Sequence, residues 1–326
     1  MLIKKNKKAI DFCRDILQDV SRSFALTIPL LDDKMKEPVM ITYLQDRLLD
    51  SFEDEGDMEI DKRKLYMNLV VDLFNPDIND DKNILDQISN SAHHFEGAIK
   101  RLVENADKLK ICFKRLDPEI QDTSYKWLAE MNEGMKKYLN KQVDTFFELN
   151  EYCYYVAGTV GGFLTDSLIT LGDIDSRDEK TLVENFVEAG LFLQKVNIIR
   201  DIKLDILNHK KHYWPLYELE ITEEELIDKT NQKRALRVLE KMVNDVKKHA
   251  KALVKYYNAI PDEFSGYKKF FSVNNAMGFA TIELVENNPE LFYTDKKLKI
   301  KKREVLKILA VSEDSFLKKA NQVLKQ

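Results

Sequence analysis

Three acidic side chains, Asp50, Glu53 and Asp54, close the apolar stretch "MITYLQDRLLDSFEDE". On a helix, residues at i, i+3 and i+4 share a face, so their carboxylates converge. Like charges at that spacing repel, and the cost grows with burial unless a cation neutralises them. Hard oxygen ligands with no Cys or His beside them suit Mg²⁺, which keeps several waters and bridges carboxylates to phosphate groups. Alone, the acids also fit a solvated helix face, because the chain carries 56 acidic residues among 326.

A second acid pair shifts that balance. The run "LFLQKVNIIRDIKLD" at 191–205 ends in Asp201 and Asp205, again i and i+4. Gln194, Asn197 and Arg200 interrupt its apolar side chains at intervals of three residues. A polar stripe on a core helix is unfavourable unless it lines a cavity that holds a polar ligand. With Arg47 and Arg200 beside the carboxylates, the two acid-tipped helices predict a pocket for Mg²⁺ and diphosphate.

The elements that must carry these residues are helical. Only 10 glycines and 7 prolines punctuate the chain, which favours long helices over a strand-rich fold. Residues 39–54 and 186–206 are the strongest apolar stripes. The spacing predicts further helices over 83–115 and 118–150, with "DPE" at 117–119 as a start signal. Residues 151–171 are the least charged stretch and hold Gly158, Gly161 and Gly162. They lack the strand–turn–helix setting of a dinucleotide fingerprint, so small residues there let another helix or a ligand approach. Loops are expected at 74–82, 172–179 and 206–222. The whole, 1–326, reads as one all-α domain.

Composition excludes several classes. A net charge of −5 argues against nucleic-acid binding. Cys13, Cys112 and Cys153 are an odd, scattered set, which predicts buried free thiols in a reducing compartment. No secretory signal and no run of about 18 apolar residues appears, so a cytoplasmic protein is expected. His93, His94, His209 and His212 lack the partners of a zinc hydrolase, and no GxSxG elbow is present.

At these residues the sequence resembles the squalene/phytoene synthase family, most of all its squalene-forming branch. The resemblance spans roughly 17–302: "SRSFALTIPLL" from Ser21, "YLQDRLLDSFEDE", "YCYYVAGTVGGFL", "GLFLQKVNIIRDIKLD" and "YWP" at 213–215. It implies an all-α isoprenoid-synthase fold with helices around a central cavity. It also implies head-to-head condensation of two farnesyl diphosphates through presqualene diphosphate, then NADPH reduction. Phytoene and dehydrosqualene synthases share the acids without the hydride step, and a family-like assembly factor would be expected to lose them.

Carried over residue by residue, the resemblance makes Asp50, Glu53, Asp54, Asp201 and Asp205 Mg²⁺ ligands, with Arg47 and Arg200 on the diphosphates. Ser21, Arg22, Ser23, Phe24, Tyr43, Gln194 and Asn197 surround the same groups, and Tyr152 stands near the reacting carbocation. "LKIKKREVL" at 298–306 resembles a segment of the squalene-forming branch and offers Lys299, Lys301 and Lys302 as diphosphate or NADPH contacts, with Asn274 and Asn275 (the latter a cofactor contact) where the family has Gln. Leu204 departs from the family, which usually has an acid before the last Asp of the second motif. A monomer with peripheral membrane contact completes the expectation.

Overall fold

A computed structural model describes residues 2–55, 57–209, 213–294 and 297–325, and no strand occurs among them. The chain divides into two compact units, Met1–Leu139 with Phe163–Asp173, and Asn140–Gly162 with Ile174–Gln326. The division falls inside the Thr159–Leu171 helix.

In the first unit, the 22-residue helix Asp33–Asp54 carries the first acid motif. Leu44, Leu48, Leu49 and Phe52 are each 0 % exposed, so the apolar stripe read from the sequence is its core face. Phe52 stacks on Tyr66 at 5.2 Å and meets Phe95 edge-on at 5.2 Å. A buried polar chain sets this helix against Pro118–Tyr138: Ser124 Oγ donates to Gln45 Oε1 at 2.5 Å and lies 3.0 Å from Thr42 Oγ1. Buried polar groups with fixed partners specify a register in a way apolar contacts do not.

The 29-residue helix Ser176–Leu204 organises the second unit. It packs on Gln232–Lys247, Ala250–Ala259, Ser265–Val285 and the π-turn Tyr154–Gly158. The helices approach closely because side chains are missing: a Cβ on Gly190 would sit 2.4 Å from the Ala157 carbonyl oxygen, and one on Gly161 2.8 Å from that of Phe186. The small residues of 151–171 thus serve a helix contact.

Several expected boundaries are corrected. Residues 83–115 form not one helix but Lys82–Asn90, a 3₁₀ turn Ser91–His94, Gly97–Glu104 and Ala106–Phe113. Gly97, at φ +55°, makes one of these breaks in a conformation side chains disfavour. The 118–150 helix stops at Tyr138 and a new one, Phe146–Cys153, starts with a capping box between Thr145 and Glu148. Residues 176–179 are helix rather than loop, since the Asp175 side chain caps Ser176–Leu204 by accepting from Arg177 and Asp178 N–H. "DPE" behaves as expected: Asp117 accepts from Glu119 N–H, with Pro118 in the first turn.

All three cysteines are buried and free. Cys13 and Cys112, 99 residues apart in sequence, bring their sulfurs to 3.8 Å. Among the described residues no helix is long and apolar enough to cross a membrane.

Candidate functional site

The first motif sits on the last turns of Asp33–Asp54. Asp50, Glu53 and Asp54 each place a carboxylate oxygen within 4.8 Å of the others, with Glu53 buried, Asp50 half-buried and Asp54 exposed. Arg47 donates to Asp50 Oδ2 from one turn earlier, and its Nε is buried without a hydrogen-bond partner. Burial nevertheless raises the Asp50 carboxyl above the ordinary 3.8; Arg47 opposes that rise and Glu53 adds to it. Desolvation, then, outweighs the one cation at hand.

The approach to this face is built by the "SRSF" turn. The Phe24 N–H donates to Ser21 Oγ at 3.1 Å, and Ser21 also hydrogen-bonds the Tyr43 phenol. The Phe24 ring lies 5.0 Å from the Tyr43 ring, while Arg22 and Ser23 are exposed. Of the candidates from this turn, Ser21 and Phe24 therefore touch Tyr43, one turn from Arg47.

Asp46 was not foreseen, although it lies at i−4 from Asp50 and the spacing rule applies equally to it. Its carboxyl makes no hydrogen bond or ion pair among the described residues, and burial, then Asp50, pushes it up to about 8.

In the second unit, Asp201 is held by two cations. Arg200 grips it through Nε to Oδ1 at 2.9 Å and Nη2 to Oδ2 at 2.6 Å, and Lys297 Nζ reaches Oδ1 at 2.7 Å. Burial would raise Asp201, but these partners hold it below the ordinary 3.8. Asp205, one turn on at the start of a π-turn, has no such partner among the described residues, and burial plus the Asp201 charge lift it to about 7. Gln194 is half-buried and Asn197 exposed, whereas the opposite face, with Lys195, Ile198, Ile199 and Ile202, is buried. Trp214 of "YWP" is 0 % exposed and donates Nε1–H to the Ile198 carbonyl at 3.1 Å, which fixes the segment after the motif onto its own helix.

Tyr152 is buried, its ring stacked on Tyr213 at 4.2 Å. Lys299, Lys301 and Lys302 are exposed and have no ion-pair partner among the described residues. Asn275 is 1 % exposed; its amide donates to the Phe271 carbonyl at 2.8 Å and its Oδ1 is unpartnered. The His209 and His212 side chains lie outside the described residues, and His93 points Nδ1 at the Asn90 carbonyl oxygen, 2.7 Å away.

Asp46 and Asp205 bind protons in the folded protein that they release near pH 4 when unfolded. Their folded pKa values are raised, so their contribution is full below the unfolded value and is lost as pH rises through about 7 to 8. The melting temperature of the cation-free protein is expected to fall between about pH 5 and pH 8, and Asp46→Asn should flatten that decline. Differential scanning fluorimetry reads both; a melting temperature that climbs across this range contradicts the assigned burial.

The described residues thus place a tricarboxylate cluster on one helix and an acid–arginine motif on another, with no strand among them. The comparisons make the relationship specific. The squalene/phytoene synthase family model matches residues 17–304. The chain is 31% identical over 323 residues to squalene synthase BSS of Botryococcus braunii, covering 96% of this chain and 67% of that one. To squalene synthase LSS of the same organism it is 29% identical over 308 residues, covering 92% of this chain and 63% of that protein's length. A solved structure described as TcSQS in complex with the ligand BPH1237 superposes with a TM-score of 0.82 at 29% identity, covering 97% of this chain and 90% of the other. The chain belongs to the squalene/phytoene synthase family.

Proposed function

We propose that the protein is a squalene synthase, a prenyltransferase that condenses two farnesyl diphosphates head to head through presqualene diphosphate and then reduces the product. The observation that carries this is the TM-score of 0.82 to a TcSQS structure, with identity to squalene synthases running over most of the chain. In this reading residues 1–326 act as one synthase domain, as a monomer in the cytoplasm with peripheral contact to the membrane that takes up the lipid product.

The donor set fits Mg²⁺. Three carboxylate oxygens within 4.8 Å, free of Cys and His, are hard ligands, and the unpartnered Arg47 Nε beside them suits a phosphate oxygen. Asp50, Glu53 and Asp54 would hold the cation in the first motif, and Asp201 and Asp205 in the second. Bound Mg²⁺ supplies charge neutralisation for a departing diphosphate. Arg47 in the first motif and Arg200 in the second each add fixed positive charge beside their own carboxylates, where a leaving diphosphate gains negative charge. Ser21 and Phe24 orient Tyr43 next to Arg47, and the Tyr152–Tyr213 stack offers a carbocation an aromatic face that cannot attack it as water would.

NADPH supplies the hydride of the reductive step. The exposed Lys299, Lys301 and Lys302 suit its phosphates; the buried Asn275 can act only through the helix it sits in.

Incubating the purified protein with farnesyl diphosphate and Mg²⁺, with and without NADPH, followed by mass spectrometry of the lipids, tests this reading. Squalene with NADPH and presqualene diphosphate without it are expected. Dehydrosqualene in both conditions would move the protein to the non-reductive branch.

A further inference from the structure

The stretch between the Glu290–Tyr293 turn and the Lys302–Ala310 helix belongs to no acid motif, yet two side-chain contacts tie it to the second one. Lys297 Nζ reaches Asp201 Oδ1 at 2.7 Å, and Lys203 Nζ donates to the Thr294 carbonyl at 2.9 Å. Residues 297–301 form neither helix nor strand, and the Lys297 contact fastens this strap to the Ser176–Leu204 helix.

Asp201 is consequently engaged on both oxygens. Its Oδ1 accepts from both Arg200 Nε and Lys297, and its Oδ2 from Arg200 Nη2. A carboxylate has about four acceptor positions, and Mg²⁺ needs an oxygen at roughly 2.0–2.1 Å in near-octahedral geometry. An ammonium already on Oδ1 opposes that ion by occupancy and by like charge. Arg200 is the neighbouring residue of the same helix and holds both oxygens. Lys297 reaches Asp201 from another segment through Oδ1 alone, and its side chain remains 32% exposed. Of the two cations, Lys297 is the one that can leave.

We propose that Lys297 is a further binding residue of the second acid motif. Its ammonium is the tethered counter-ion of Asp201, and a divalent cation binds there by displacing it. Displacement frees the strap's contact with Asp201 and releases Lys297 to pair with the anion that the cation brings. Lys299, Lys301 and Lys302 lie on or next to the same strap, so cation binding at Asp201 also governs where they stand. The proposal rests on the assignment of Asp201 and Asp205 as cation ligands.

The test is a Mn²⁺ titration read by electron paramagnetic resonance, in an Asp50→Asn/Asp54→Asn background so that the signal reports the second motif. Lys297→Met is expected to bind Mn²⁺ about threefold to fivefold more tightly, the scale of one partly exposed ion pair. Lys297→Arg should retain the weaker affinity, and Asp201→Asn should abolish binding. Amide hydrogen exchange over 297–301 should rise on Mg²⁺ addition with Lys297 present, and be high and insensitive to Mg²⁺ in Lys297→Met. Equal or weaker Mn²⁺ affinity in Lys297→Met overturns the counter-ion role alone. Absence of Mn²⁺ binding in every variant overturns it together with the cation reading of Asp201 and Asp205.

Discussion

Replacing Asp50 with Asn is expected to lower turnover of farnesyl diphosphate by about a thousandfold or more while the helical content stays unchanged. The Asn amide keeps the shape of the carboxylate and removes its charge. Asp50 belongs to the cluster whose oxygens lie within 4.8 Å of one another, and it is also the acceptor for Arg47. Under the proposed function the substitution therefore removes a cation ligand, and it releases a guanidinium that already has one buried nitrogen unpartnered. Both losses fall on the leaving-group charge, so kcat should drop with farnesyl diphosphate and Mg²⁺ saturating. Asp50→Glu, which restores the charge one methylene further out, should recover part of the rate. An Asp50→Asn protein within tenfold of the wild type would remove the first motif from the chemistry.

The second large effect is on stability. Lys195 is 1 % exposed and pairs with Asp245 Oδ2 at 2.5 Å across the Ser176–Leu204 and Gln232–Lys247 helices. Lys248 touches the other Asp245 oxygen at 3.2 Å from a far more exposed position. Lys195→Met leaves Asp245 with only that solvated partner, and breaking a buried pair from one side costs about 3–5 kcal/mol. Urea unfolding should show a loss of that order, and Lys195→Met/Asp245→Leu should recover most of it, since removing both charges ends the uncompensated burial. If the single variant loses less than about 1 kcal/mol, solvent reaches the pair and the buried-pair account fails. Lys195 follows Gln194 directly, so this ion pair anchors the helix from the side opposite its polar stripe.

Periodicity carried the fold a long way, and local backbone chemistry limited it. The acid helices were legible because Asp50, Glu53, Asp54, Asp201 and Asp205 end long stripes most of whose apolar members are buried. The breaks inside 83–115 were not, because Gly97 and the 3₁₀ turn at Ser91–His94 interrupt a pattern whose apolar spacing continues across them. The Thr145–Glu148 capping box is a T-x-x-E signal in the sequence, and it starts a new helix inside the expected 118–150 segment. In the site, Asp46 obeyed the same i, i+4 rule as its neighbours. Lys297 could not be found that way. It lies 96 residues beyond Asp201 in sequence, and one lysine among 51 basic residues carries no signal until the chain folds. The same holds for Cys13 and Cys112, whose proximity only packing creates.

The most direct measurement of the central claim is diphosphate release from farnesyl diphosphate as Mg²⁺ is titrated, in the wild type and in Asp50→Asn. The account predicts no release without the cation, a saturable rise with Mg²⁺, and two diphosphates released per squalene formed. Asp50→Asn should stay near the background rate throughout. Release that is independent of Mg²⁺, or equal in the two proteins, would contradict the assignment of the carboxylate cluster as the cation-dependent diphosphate site.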